Sequence, residues 1–203
     1  KLDWETQFNQ QISIKFGADV KQHNIYFENI NLVPMTVNGV DVKPYNVITP
    51  PESSTDHDTY TRKPQEFSGY VQSKFEAFNL IFNAGFRVDV FNPDGRILSD
   101  PTDPDIRKPV KPANRAKTYE ERLTYWYKDA SWKTQISPRL GIAFPITARG
   151  VIHFSYGHFF QLPSYELLYS NPDFEVLDGS GNVALFGNAD LQPQKTVKGE
   201  IGL

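Results

Sequence analysis

Three observations predict an all-β, antiparallel fold for this chain. Apolar residues recur at every second position along several stretches, those stretches outrun ordinary globular strands, and the connections between them alternate between short and long. Globular strands usually run about 5–6 residues. The stretch NLIFNAGFRVDVF, residues 79–91, is far longer: Leu80, Phe82, Ala84, Phe86, Val88 and Val90 share one face, and Asn83, Gly85, Arg87 and Asp89 the other.

The elements follow in order. A first candidate strand precedes residue 9, and Asn9–Gln11 is a short break. In ISIKFGADVK (12–21), Ile12, Ile14, Phe16, Ala18 and Val20 oppose Lys15, Asp19 and Lys21. A long irregular segment, roughly 28–65, leads to the hairpin FSGYVQSKFEAFNLIFNAGFRVDVF (67–91), whose strands begin near 67 and 80 and break near Glu76–Asn79. A second long segment, 92–133, carries the turn formers NPDG (92–95) and DPTDPD (100–105). A strand beginning near 136 then places Leu140, Ile142, Phe144 and Ile146 opposite Arg139, Gly141 and Ala143. After the break at Pro145–Gly150, a strand near 151 places Ile152, Phe154 and Tyr156 opposite His153, Ser155 and Gly157. The third long segment, 160–194, contains NPD (171–173) and DGSG (178–181), and a last strand from near 196 sets Val197, Ile201 and Leu203 against Lys198 and Glu200. Even numbers of strands separate the long segments, so all three leave the same edge of one sheet.

Two environments fit such a sheet. An outer-membrane barrel shows apolar side chains to lipid and polar ones to its lumen, with short turns on one side, long loops on the other, and strands of about 9–11 residues. Phe82, Phe86, Leu140, Ile142 and Phe154 would then face lipid, and Arg87, Asp89, Arg139, His153 and Glu200 the interior. Tyr26, Phe27, Phe91, Phe159 and Phe160, at the loop ends of strands, would form an interfacial girdle. A soluble or periplasmic β-rich binding module with one wet face satisfies the same rhythm. A mean hydropathy of −0.48 does not separate the two, since barrel strands are missed by such averages.

Composition narrows the function. The chain has no cysteine, which excludes disulfides and thiolate chemistry, and a net charge of −3, which gives no broad attraction to nucleic acid. The N-terminal KLDWETQFNQ has no apolar leader region. His153 and His158 fall on opposite strand faces, DHD (56–58) reads as a polar loop, and DPTDPD lacks the glycine and spacing of a calcium loop, so no metal or other cofactor is expected. With no G-x-S-x-G, H-E-x-x-H or phosphate loop, and Glu120 and Glu121 merely adjacent, catalysis is not expected either. The run YEERLTYWYKDASW (119–132) reads as an extension of the external strands or part of the girdle, with Tyr125, Trp126, Tyr127 and Trp132 as candidate ligand contacts.

Two stretches carry a resemblance. SPRLGIAFPITARGVIHFSYGHFFQLPSYELLY (137–169) contains Phe159, Phe160, Pro163, Ser164, Glu166 and Leu167, and GNADLQPQKTVKGEIGL (187–203) contains Gly187, Asn188, Leu191, Pro193, Lys195, Thr196, Glu200 and Gly202. Together they resemble the strand-entry motifs of TonB-dependent outer-membrane receptors, especially the Bacteroidota branch. Gln194 stands where the family commonly has an acidic residue, and Gln161 where it often has Arg. The resemblance implies a barrel of about 22 strands around a plug, so residues 1–203 are expected to form a partial barrel domain, an incomplete transmembrane segment with long external loops, lacking the plug. It also implies an outer-membrane location in a Gram-negative bacterium and import of a scarce ligand driven by a TonB-type energy-coupling protein. The implied partners are outer-membrane lipid, the plug, the remaining barrel and a surface lipoprotein. The segment from Phe160 to Tyr169 would line the outer vestibule, with Phe160, Tyr165 and Glu166 as candidate ligand-contact or external-loop residues.

Overall fold

The computed structural model describes residues 1–44, 46–52, 54, 56–147, 149–176 and 185–203; the DGSG turn expected at 178–181 lies outside them. The principal strands are β1 (Leu2–Gln7), β2 (Ile12–Gln22), β3 (Ile25–Ile30), and, after four two-residue strands, β8 (His57–Arg62), β9 (Gln65–Ala77) and β10 (Leu80–Asn92). The four short ones are β4 (Val33–Pro34), β5 (Thr36–Val37), β6 (Val40–Asp41) and β7 (Val47–Ile48). Then follow β11 (Arg96–Leu98), α1 (Pro112–Arg115), α2 (Tyr119–Trp126), β12 (Tyr127–Asp129), β13 (Lys133–Pro145), β14 (Val151–Gln161), α3 (Tyr165–Tyr169) and β15 (Gln194–Gly202). Among the described residues no helix is long and apolar enough to cross a membrane.

Seven strands form one sheet in the order β1-β2-β9-β10-β13-β14-β15, and every pairing is antiparallel. Short turns join β1 to β2, β9 to β10 and β13 to β14, and every long connection leaves the opposite edge, as the sequence predicts. The sheet does not close: β1 and β15 lie at its two ends.

The register converts the two-residue rhythm into two continuous faces. One row runs Ile12, Phe75, Phe82, Ile142, Phe154, Ile201, and another runs Trp4, Phe16, Val71, Phe86, Pro138. Trp4 and Phe16 stack at 6.5 Å. On the other face Asp3, Gly17, Tyr70, Arg87 and Ser137 make one row, and Glu5, Lys15, Gln72, Gly85 and Arg139 the next. Phe16, Phe86, Ile136, Val197 and Ile201 are all exposed, so no second layer covers the apolar face among the described residues. Soluble monomers rarely expose a contiguous apolar patch beyond a few hundred Å², roughly the area of a handful of side chains.

Beyond the long-loop edge the chain departs from the irregular coil expected there. β3 and β8 pair as the arms of a hairpin, with two smaller ladders, β4–β7 and β5–β6, above them. Its tip is the Asn38–Gly39 turn, both residues at positive φ (54° and 77°), the geometry that a two-residue hairpin loop demands and that Asn-Gly supplies most readily. The run at 119–132, expected as strand, begins instead as helix α2. Thr118 and Glu121 close a capping box: the Thr118 hydroxyl accepts from the Glu121 amide (3.2 Å), and the Glu121 carboxylate accepts from the Thr118 amide (2.7 Å).

The compact core lies in this loop layer. Tyr60, Phe91, Leu168 and Tyr169 pack together, with Ile25, Leu162 and Tyr165 against them. Phe91, expected in an interfacial girdle, is only 2% exposed; its register opposite Glu66 and Lys133 turns it to the polar face, where the loops cover it.

Candidate functional site

The polar face concentrates its chemistry between β10 and β13. Arg87 Nε donates to both oxygens of Asp89 (2.8 and 3.1 Å), which share its face two residues on. Arg139 sits between Gly85 on β10 and Gly157 on β14, neighbours too small to crowd it, and its guanidinium lies 5.4 Å from the Phe159 ring. The ladder between β13 and β14 stops at the Arg139–Gly157 pair. The next residue, Pro138, has no amide hydrogen to extend it. Where the two strands part, a cavity of about 380 Å³ opens, lined by Arg87, Asp89, Ser137, Arg139, Phe159 and Gln161 among others. A second, of about 430 Å³, lies further along the face and shares Arg87 and Arg139 with it. Arg87, Asp89 and Arg139 thus come together. His153 and Glu200 share their face but line neither cavity: the imidazole lies over Gly202, and Glu200 pairs with Lys198 (2.6 Å).

Further pairs lace the face. Tyr70 donates to Asp3 (2.7 Å), Lys21 lies 3.3 Å from Glu66, and His23 lies 2.9 Å from the same carboxylate. Exposed pairs of this kind contribute about 0–1 kcal/mol each. They suit the face to a wet or protein-filled space more than they hold the sheet together.

The candidate ligand-contact residues separate. Trp126 is 4% exposed and donates its indole N–H to the Pro104 carbonyl (3.0 Å), so it packs rather than presents. Tyr127 is covered by the Arg96 guanidinium (4.5 Å) and Phe174 (5.8 Å), and burial pushes its hydroxyl up to about 12. Tyr125 donates to Asn114 Oδ1 (2.9 Å) beneath the Lys117 ammonium. Tyr165 stacks on Tyr169 (5.9 Å) and against His23 (5.8 Å), whereas Glu166 is exposed. Phe160 lines the first cavity. Trp132 is 56% exposed and stacks on Phe67, a residue of the apolar face, at 6.2 Å.

The acidic loop is a self-clamped turn. Asp103, 1% exposed, accepts from the Val110 and Lys111 amides (2.7 and 3.2 Å) and from Asn114 Nδ2 (2.8 Å). Burial pushes its carboxyl up, but these bonds outweigh it and the net shift is downward. Lys111, then Thr102, hold Asp100 at about 2. His57 of the DHD stretch is buried, facing the Pro50 carbonyl through Nδ1 (2.9 Å) and Glu28 through Nε2 (3.2 Å). Among the described residues no group of three His, Asp or Glu converges as a metal site.

A feature the sequence did not disclose is the clasp made by the GNADL stretch. Gly187 lies so close to the α3 end that a Cβ there would stand 2.6 Å from the Ser170 amide nitrogen. The Asn188 amide donates to Leu167 O (2.8 Å). Asp190 accepts from the Ser131 amide (2.8 Å) and hydroxyl (2.6 Å) and from Lys133, which is 3% exposed. The stretch so ties the β14–β15 connection to the foot of β13.

A sheet apolar on one side and polar on the other, with all its long loops at one edge, is wall of the outer-membrane β-barrel class. The family model described as TonB dependent receptor-like, beta-barrel, matches residues 2–203, and the chain belongs to that family. No curated protein and no solved structure matches it. The family's place is the bacterial outer membrane and its role is transport, not enzymatic catalysis.

Proposed function

We propose that the chain forms part of the barrel wall of an outer-membrane receptor that imports a scarce ligand with energy from a TonB-type coupling protein. The observation that carries this reading is the two-faced register within a chain of that family. The apolar rows face lipid, and Arg87, Asp89, Arg139, His153 and Glu200 face the interior, where the first three meet a plug or a hydrated lumen. The loop layer stands outside, and the cavity between Arg139 and Phe160 forms its floor toward the lumen. Phe160 and the exposed Glu166 are its ligand-facing candidates, and a surface lipoprotein is a candidate cover. The alternative, a soluble binding module, would leave the exposed apolar rows in water.

The test uses the full-length receptor in a Gram-negative host. Phe86→Cys should react with a lipid-soluble maleimide and Arg139→Cys only with a water-soluble one, in a protein that fractionates with outer membrane and needs detergent for extraction. Recovery as a monodisperse species without detergent overturns the barrel-wall reading. In-cell cross-linking to the coupling protein tests the energy step, and a persistent lack of adduct overturns it.

A further inference from the structure

Two arginines of the loop layer stand out. The Arg62 side chain makes no hydrogen bond or ion pair among the described residues, and its Nε is buried without a partner. Arg96 is its neighbour in two cavities, and its Nε is likewise buried and unpartnered. A guanidinium nitrogen buried without an acceptor is costly, and a second guanidinium beside it adds repulsion. Burial and the Arg96 charge together push Arg62 below the usual arginine range. Arg96 has one weak pair, Asp173 at 3.8 Å, and its cation–π contact with Tyr127.

The larger shared cavity, about 380 Å³, is lined by Arg62, Arg96, Asn92 and Trp132, with Asp94 and Asp129 also on its wall. Asp94 already accepts from the Lys63 amide (2.6 Å), and Asp129 is exposed opposite Arg96 on the β11–β12 ribbon. Position matters as much as charge. Asn92 closes the β9–β10 ladder and has the parity of Phe86, Val88 and Val90. Trp132 stacks on Phe67 of the same face. Two lining residues, Asn92 and Trp132, thus continue the apolar face at the end of the β9–β10 ladder. A tryptophan at that level is where an amphipathic ring meets lipid headgroups.

We propose that Arg62 and Arg96 form a binding site for a phosphate or carboxylate of an outer-leaflet lipid headgroup. The forked donors of the two side chains match such an oxyanion. Trp132 borders the site from the lipid side. The inference rests on the barrel-wall reading above.

The experiment uses full-length receptor in detergent and native mass spectrometry with two probes, diphosphoryl lipid A and its dephosphorylated form. The wild type should retain the diphosphoryl form preferentially. The double variant Arg62→Gln/Arg96→Gln should lose about tenfold in that retention, with its heat-modifiable gel mobility unchanged. Arg62→Lys/Arg96→Lys, which keeps both charges but loses the forked donors, should retain about threefold less than wild type, between the other two proteins, and decides the matter if the glutamine variant fails to fold. Equal retention by all three proteins, or no preference between the two lipid forms, overturns the proposal. So does full displacement of the lipid by millimolar inorganic phosphate, which would make this a free-anion site. A receptor that needs no detergent at all defeats the barrel-wall reading instead, so the two failures are distinguishable.

Discussion

The sheet and the loop layer are built on opposite solvent logic. In the sheet Phe86 and Ile201 are exposed while Arg87 and Tyr70 share the polar face, so its stability depends on what surrounds it. In the loop layer Tyr60, Phe91, Leu168 and Tyr169 bury one another, and buried charged groups such as Asp103 and Lys133 are hydrogen-bonded, as in a small water-soluble domain. One chain carries both because each half answers a different medium: lipid rewards an apolar exterior and a fully paired backbone, and water rewards an apolar interior.

The separate stabilities of the two regions are open to test by substitution. The largest effect is expected from Trp126→Ala, which empties a buried indole site and should cost the loop layer about 3–5 kcal/mol. Hydrogen exchange would show faster exchange at α2 amides with β9 and β10 unchanged; loss of protection in the strands as well would show that the two regions are not separate. Phe86→Arg should cost about 2–4 kcal/mol in refolding of the full receptor into lipid vesicles, measured by urea titration. Gln72→Arg, on the polar face, should cost less than about 0.5 kcal/mol in the same assay. If the two arginines cost the same, the assignment of faces fails.

Smaller effects sharpen the boundary between the regions. Asp190→Asn leaves Lys133 buried beside a neutral acceptor and should cost about 2 kcal/mol, seen as faster proteolysis of the β14–β15 connection. The Lys133 and Ser131 bonds hold the Asp190 carboxyl at about 2, below its ordinary 3.8. The clasp is therefore complete above about pH 4 and is lost as pH falls through the folded value. The smallest effect is expected at His57. Its two nitrogens face two acceptors, so the doubly protonated ring is favoured: the Pro50 carbonyl, opposed in part by burial and helped by Glu28, raises it above 6.5. That contribution is present below pH 6.5 and is lost as pH rises through the folded value. An NMR titration of His57 with its midpoint at or below 6.5 would contradict it.

The strands were legible because a face set by lipid on one side and water on the other enforces strict alternation. The strand beginnings expected near 12, 80 and 151 coincide with β2, β10 and β14. β13 starts earlier than expected, at Lys133, because its first residues pair with β10 beyond the span of clean apolar alternation. Two loop elements carried signals of their own: Asn38–Gly39 for the hairpin and the Thr118-to-Glu121 spacing for α2. The polar site was half legible. Parity placed Arg87, Asp89 and Arg139 on one face, but the parting of β13 and β14 that makes a cavity of them depends on where a ladder stops. The burial of Trp126 and the Lys133–Asp190 clasp were not legible, because both join residues that only the folded loops bring together.

The Phe78–Asn79 turn has a consequence for assembly. It joins two thirteen-residue strands through two residues, whereas β2 and β13 must close far longer chain segments to join them. Closure entropy grows with separation, so the β9–β10 hairpin is expected to form first and serve as the template to which β2 and β13 add from either side. Pulse-labelled exchange during refolding would record this as protection at residues 65–92 before any other strand, and earlier protection of β14 and β15 would reverse the order.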